Sequence, residues 1–222
     1  MNELILFYSQ TDKVYNFFEK NLPMKKKGNQ KYHEEEKNPN SVRGFYVDLG
    51  VKGYYESHGA EYQNPHEDRV RKVIKNIIKA WDLKTSKVLD LACGSGEVTL
   101  ILKDLGVKDI TGADPYTVAA YERRTGNTCR EISFEDITNG KLSEEKFSLI
   151  VCSYALHLAK EELLPVLAMQ LSMISEQLLI ITPHKRPDIE EKWGWTFVNE
   201  TVLDRTRARL YKSIYSDEQE VE

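Results

Sequence analysis

Cysteine is scarce in this sequence: three residues in 222, Cys93, Cys129 and Cys152. The count is odd and the spacing shows no metal-ligand pairs, so neither a disulfide scaffold nor a metal site is expected. Two of the three lie in strongly apolar segments, which suits buried, reduced thiols and a cytoplasmic location. No apolar run approaches the roughly 20 residues that span a bilayer, and the first residues, "MNELILFYSQTD", carry no basic n-region, so neither membrane insertion nor secretion is expected. Charge of one sign is also lacking. A formal net charge of -4 gives no general attraction to phosphate backbones or anionic lipid, so nucleic acid and membranes are unlikely partners on this reading. Finally, no Pro/Gly/Ser-rich linker divides the chain and no internal repeat is evident, which leaves one main domain.

What is present is an alternation. From Trp81 onward, the β-rich runs "KVLDLA", "KDITGADP", "NTCREISF", "KFSLIVCS" and "QLLIITPH" are interleaved with helical patterns such as "EVTLILKDL" and "KEELLPVLAMQLSMI". Such a rhythm signals an α/β fold, a parallel sheet wrapped by helices. The tail "WTFVNETVLDRTRARLYKSIY" instead holds two β-leaning pieces that suit an antiparallel excursion at one sheet edge. Ahead of the sheet, "NPHEDRVRKVIKNIIKAW" sets Val70, Val73, Ile74, Ile77, Ile78 and Trp81 at helical spacing, with Asn64 as N-cap, Pro65 as first helical residue and Glu67 closing a capping box. His66 falls in that first turn. Residues 1–63 are expected to form an N-terminal extension and lid, with an amphipathic stretch through Val14, Phe17, Phe18 and Leu22 and a mobile, charged segment over 24–40. Residues 64–222 form the main domain.

The stretch "VLDLACGSGEVTL", Val88 to Leu100, follows a strand and opens a helix, the context in which a glycine motif carries meaning. A dinucleotide site would place a third glycine where this chain has Thr99. Glu97 in the helix's first turn suits the dipole but would set a negative charge beside any bound phosphate. Together with Asp90 it makes the turn acidic, which favours a phosphate-free nucleoside carrying positive charge near the glycines. Asp114, at the end of the second strand, can accept a pair of ribose hydroxyls. Structural roles remain open for each: a turn former at Asp114-Pro115, an Asx cap at Asp136, a strap for the glycine turn at Asp90.

In order and spacing, "VLDLACGSGEVTL", "ITGADPY", "FEDI" and "FSLIVCSYALHLA" resemble the successive motifs of class I S-adenosylmethionine-dependent methyltransferases, over roughly Asn64 to Tyr215. The resemblance implies a Rossmann-like three-layer sandwich whose seven-stranded, mostly parallel sheet ends in an antiparallel strand. It implies S-adenosylmethionine as cofactor, with Gly94, Ser95 and Gly96 against its methionine and ribose, Asp90 toward its amino group, Asp114 and Pro115 at the ribose, and Asp136 and Ile137 at the adenine. Cys152 and Ser153 end the fourth strand, where chains of this family pass the cofactor. Ala92 stands where the family often carries a further glycine.

Methyl transfer from a sulfonium is an in-line displacement in which positioning does much of the catalysis, so no catalytic dyad is obligatory. The fourth-strand exit "CSYALHLA" lacks the Asn/Asp-Pro-Pro-Tyr/Phe signature with which related enzymes grip planar amide or adenine nitrogens. Candidates on the acceptor side are Tyr54, Tyr55, His58 and Tyr62 on a glycine-flanked loop, either a lid or loop packing, then Tyr154 and His157 after the fourth strand. After the fifth, His184, Lys185 and Arg186 could hold an acidic group or simply be solvated. Trp193 and Trp195 either wall a pocket or anchor the edge hairpin. The expected acceptor is a small molecule ahead of a protein side chain. The alternatives are a non-catalytic partner subunit that binds the same cofactor and, disfavoured by Thr99 and Glu97, a nicotinamide-dependent oxidoreductase.

Overall fold

The computed structural model describes Gly53 and residues 58–215. Expectations on residues 1–52 and 54–57, including the segment 24–40, Tyr54 and Tyr55, lie outside the described residues.

Helix α1 (Glu67–Ala80) buries Val70, Val73, Ile74 and Ile77, the i, i+3, i+4, i+7 stripe that its periodicity predicts. Its start differs from the sequence expectation. The α-helix opens at Glu67 rather than Pro65, and Asn64 caps the turn before it, its Oδ1 accepting from the His66 N–H at 2.8 Å. Glu67 does not close a capping box with Asn64, because the Asn64 N–H donates to Glu97 instead, at 3.1 Å. Glu67 pairs with Arg71 and Arg124.

Strand β1 (Val88–Leu91) is followed by α2 (Glu97–Asp104), β2 (Ile110–Ala113), α3 (Val118–Thr125), the two-residue β3 (Cys129–Arg130) and α4 (Phe134–Thr138). The third expected strand is thus much shorter than "NTCREISF". The Ser133 hydroxyl and Asp136 close a true capping box at that point and turn the chain into a helix. Then come β4 (Phe147–Ser153), α5 (Leu164–Ile174) with Pro165 in its first turn, β5 (Ser175–Thr182), β6 (Trp195–Leu203) and β7 (Thr206–Ser213).

The strands form one seven-stranded sheet in the order β3-β2-β1-β4-β5-β7-β6. The first five run parallel and β7 lies antiparallel to both β5 and β6. This is the Rossmann-like sheet of the sequence expectation. Alternate residues of the central strands feed two cores, as a sheet covered on both faces requires. Leu149 and Val151 of β4 and Leu179 and Ile181 of β5 meet α1 and α2, whereas Ile150, Cys152, Leu178 and Ile180 meet α5 on the opposite face. No helix among the described residues is long and apolar enough to cross a membrane.

Trp193 and Trp195 both lie in the core beneath α5. Trp195 is fully buried, and its indole N–H donates to the Ala168 carbonyl at 2.8 Å, so it anchors the β6–β7 hairpin and walls no pocket. Trp195→Ala removes that bond and leaves a large void. It is expected to cost about 3–5 kcal/mol of stability, read as a lower midpoint in urea unfolding at unchanged slope.

Candidate functional site

Strand order reverses between β1 and β4: from β1 the chain proceeds outward to β2 and β3, then returns to place β4 on the other side. Ligands of open α/β sheets bind beyond the carboxyl ends of the strands at such a point. A cavity of about 220 Å³ opens there, lined by the ends of β1, β2 and β4 and by residues that follow them.

Its floor is the turn between β1 and α2. Three residues of this turn have left-handed backbone: Ala92 at φ 53°, Gly94 at 55° and Gly96 at 86°. The positive φ explains why glycine suits position 92; alanine holds it at a cost on the order of 1 kcal/mol. The turn is tied down by Cys93 N–H to Ala113 O at 3.1 Å, by Gly94 N–H to Asp114 Oδ2 at 3.2 Å and by the Thr117 hydroxyl to Gly94 O at 2.8 Å.

Asp90, 1% exposed at the tip of β1, accepts at Oδ2 from the Thr99 N–H at 3.1 Å and the Thr99 hydroxyl at 2.7 Å. Burial is the largest influence on its carboxyl and pushes its pKa up to about 8; Glu97 and Asp114 add to the rise and the Thr99 bonds oppose it. Thr99, which stands where a dinucleotide site has its third glycine, is therefore the residue that holds Asp90. Asp114 accepts at Oδ1 from the N–H groups of Tyr116 and Thr117, at 2.8 and 3.0 Å, so it is a turn former as well as a wall of the cavity.

Glu97 faces the cavity but does not stand free in it. Its Oε1 accepts from the Ser95 hydroxyl, from Asn64 N–H and from Arg124, whose guanidinium also pairs with Glu67. The acidity expected of the turn is partly offset by Arg124. Even so, the carboxyl and basic side chains on the cavity wall, among the described residues, are the carboxyls of Asp90, Glu97, Asp114 and Glu135 against the single ammonium of Lys160. Lys160 is itself paired with Glu135 at 3.5 Å.

Of the sequence candidates, Asp90, Ala92, Gly94, Asp114, Pro115, Ser153, Tyr62 and Tyr154 line the cavity. Ser95, Gly96, Asp136, Ile137 and Cys152 do not. The Asp136 carboxylate is engaged with Ser133 in the capping box, and those bonds hold it below the ordinary carboxylate pKa. Ile137 and Cys152 point into the core, and burial pushes the Cys152 thiol up to about 12. Ser133, Phe134 and Glu135 take the wall where Asp136 was expected. Ser153 contributes a buried hydroxyl with no hydrogen-bond partner in the protein.

Tyr154 has left-handed backbone at φ 56°, its hydroxyl 2.7 Å from that of Thr206 and its ring 5.0 Å from that of His66. His157 and His184 lie against each other, ring centroids 4.5 Å apart, outside the cavity wall. Burial, with His184 adding to it, lowers the His157 pKa to about 4. His58, Lys185 and Arg186 are exposed. The Lys185 carbonyl, rather than its side chain, is used, accepting from the buried Arg209. Sequence reasoning missed Tyr121, Arg124 and the stretch Leu158 to Leu163. Only the Ser133-to-Asp136 spacing carried a signal, that of a capping box.

Comparison with known proteins places the chain among relatives. A family model described as a methyltransferase domain matches residues 65–214. An uncharacterized protein of Schizosaccharomyces pombe is 29% identical over 236 positions, covering 82% of this chain and 95% of that one. A solved protein of Pyrococcus horikoshii OT3 superposes with a TM-score of 0.56 at 13% identity, over 78% of this chain and 100% of its own. The magnesium protoporphyrin IX methyltransferase of Synechocystis PCC 6803, solved with bound S-adenosylmethionine, gives 0.51 at 14%, over 82% and 99%. The N-methyltransferase NodS of Bradyrhizobium japonicum WM9, solved with S-adenosyl-L-homocysteine, gives 0.52 at 14%, over 68% and 89%. At such identities the likeness of the solved structures is one of fold.

The buried Asp90 has a stability consequence. Its folded pKa near 8 lies above the unfolded value near 3.8, so the folded state keeps a proton that the unfolded chain releases. Stability of the unliganded protein must therefore fall as pH rises between those values. Asp90→Asn removes this titration. In urea unfolding the variant is expected to gain on the native protein from about pH 4 and to level off above about pH 8; parallel curves would refute the assignment.

Proposed function

The chain belongs to the methyltransferase-domain family, and we propose that it binds S-adenosylmethionine at the strand-tip cavity and transfers the methyl group to a small-molecule acceptor. The observation that carries this reading is the sign of charge on the cavity wall. The carboxylates of Glu97, Asp114 and Glu135 and the buried Asp90 carboxyl, against one paired lysine, with the Gly94 N–H taken by Asp114 and the Thr99 N–H by Asp90, make a poor seat for a diphosphate and a good one for a cationic nucleoside. The helix-packing glycine of a dinucleotide site, placed at Thr99, would keep the N–H bond to Asp90 but lose the hydroxyl bond. A nicotinamide cofactor is accordingly set aside.

When bound, the cofactor supplies a methyl group on a positively charged sulfur, already activated for displacement. The chain's part is to grip and orient. Asp114 retains acceptor capacity for ribose hydroxyls beyond its three backbone donors. Ser133, Phe134 and Glu135 replace Asp136 as the wall for the base. Asp90 offers charge to the amino-acid end. Tyr62 and Tyr154, with Leu158 and Leu163, give the remaining wall an aromatic and apolar character that excludes water and suits a small molecule. The aromatic faces also attract a sulfonium, by on the order of 1 kcal/mol when desolvated. The Ser153 hydroxyl, buried and without a protein partner, is free to bond a ligand.

Titration calorimetry with S-adenosylhomocysteine tests the cofactor assignment. Asp114→Asn keeps one acceptor oxygen but puts an N–H₂ where Oδ2 serves, so binding is expected to weaken by about 10- to 100-fold. An unchanged affinity would sink the ribose role. For the acceptor, methyl-tritiated S-adenosylmethionine is incubated with the protein and a cell extract, and small-molecule and macromolecular fractions are counted separately. Label in the small-molecule fraction is expected. Label in protein would redirect the acceptor reading, and none despite tight cofactor binding would favour a non-catalytic partner subunit.

A further inference from the structure

We propose that Thr99 and Tyr121 are positioning residues that orient the Asp90 carboxyl and favour its ionised form for the cationic end of the ligand. The proposal rests on the cofactor reading above and adds to it a specific chain of hydroxyls. A threonine hydroxyl has one proton. When Thr99 gives it to Asp90 Oδ2, at 2.7 Å, its own oxygen can accept, and the Tyr121 hydroxyl lies 3.0 Å away. All donors then point the same way, Tyr121 to Thr99 to Asp90, with the Thr99 N–H adding a second bond to the same oxygen. Chains with aligned donors polarise and strengthen one another in a low-dielectric interior.

Tyr121 reaches this place from α3 by a route that two glycines keep open. A Cβ on Gly112 would lie 2.4 Å from the Tyr121 Cζ. One on Gly96 would lie 3.1 Å from its Cδ2 and 2.3 Å from Thr125 Cγ2. The second glycine of the turn is off the cavity wall, and its freedom serves the tyrosine packed behind it. Tyr121 is fully buried in a small cluster with Cys93 and Cys129. Burial, above all, raises its own pKa, so it stays a donor across the working range.

The groups that face Asp90 from the packed elements are those of α2 (Glu97, Thr99), the loop after β2 (Asp114), the glycine turn (Cys93), β4 (Cys152) and α3 (Tyr121). The carboxylates and burial favour the protonated form. Only Thr99, supported by Tyr121, opposes them directly; Arg124 acts on Glu97.

The test is the pH dependence of S-adenosylhomocysteine binding, measured from pH 6 to 9.5 on the full chain and on Tyr121→Phe, Thr99→Val and Thr99→Ser. Each variant is read as a ratio to the native protein, so that the ligand's own titration cancels. For Tyr121→Phe the ratio is expected to be about tenfold near pH 6.5 and to approach one above pH 9, because the lost donor raises the pH at which Asp90 ionises. Thr99→Val should behave likewise but more severely, and Thr99→Ser, which keeps the hydroxyl, should restore native behaviour. A ratio independent of pH, or equal to one throughout, would overturn the proposal. If Tyr121→Phe fails to fold, the Val and Ser pair at position 99 decides the same question. Failure of the native protein to bind at any pH would instead defeat the cofactor reading.

Discussion

A carboxyl carried out of water to the tip of β1 is the constraint around which the site is arranged. Asp90 sits between two parallel neighbours, β2 and β4, where little solvent reaches, and burial alone would keep it protonated. What opposes this is the start of α2. Gly96, the N-cap of that helix, has no side chain to satisfy the first orphan N–H groups. Asp90 satisfies one of them from the adjoining strand by taking the Thr99 N–H and, through the same oxygen, the Thr99 hydroxyl. The strand therefore caps the helix that follows it, and strand tip, turn and helix form one hydrogen-bonded unit.

A helix N-terminus is ordinarily a place for anions, and here the chain supplies acidic groups of its own. Its Thr99 N–H is taken by Asp90, and Glu97 in its own first turn faces its partial positive charge. Glu97 in turn is gripped by Ser95, Asn64 N–H and Arg124, and Arg124 continues to Glu67 at the start of α1. That network joins α1, α2 and α3 around the turn. It gives rigidity to a loop whose three left-handed residues would otherwise be easily displaced.

Much of the fold was legible because it depends on local pattern. The stripe from Val70 to Ile77, the continuous apolar runs of β1, β4 and β5, and the two-part tail each announce an element that the structure contains. Elements shaped by side-chain bonding were less so. Ser133 and Asp136 spell a capping box, the structural role that the sequence leaves open for Asp136, and the structure shows it; the three residues Ser133, Phe134 and Glu135, which line the cavity, carry no such signal of their own beyond Ser133. The pattern at Asn64 predicts the N-cap of the helix, whereas its side chain caps the turn before it and its own N–H finds a partner 33 residues away. Tyr121 had no sequence signal at all. Its position depends on glycines at 96 and 112 that make room for it from two different elements, and such a relation exists only once the chain is folded.

The remaining strain of the site has a pattern. Ala92 and Tyr154 both hold left-handed backbone, and each immediately or nearly follows the end of β1 or β4, the two strands between which the order reverses. Non-glycine residues bear that conformation at a cost, tolerable only where the surroundings overdetermine it. For Ala92 the small side chain keeps the cost low. For Tyr154 the surroundings are explicit: its N–H donates to Ile181 O at 2.7 Å, its hydroxyl meets Thr206 at the start of β7, and its ring lies beside His66 at the head of α1. One residue thus binds the exits of β4 and β5, the antiparallel hairpin and the first helix to a common point on the cavity wall. Glycine at this position would relax the backbone and keep the N–H bond to Ile181 O, but it would lose both side-chain ties, the hydroxyl contact to Thr206 and the ring contact to His66, so what offsets the strain of Tyr154 is what its ring and hydroxyl hold together.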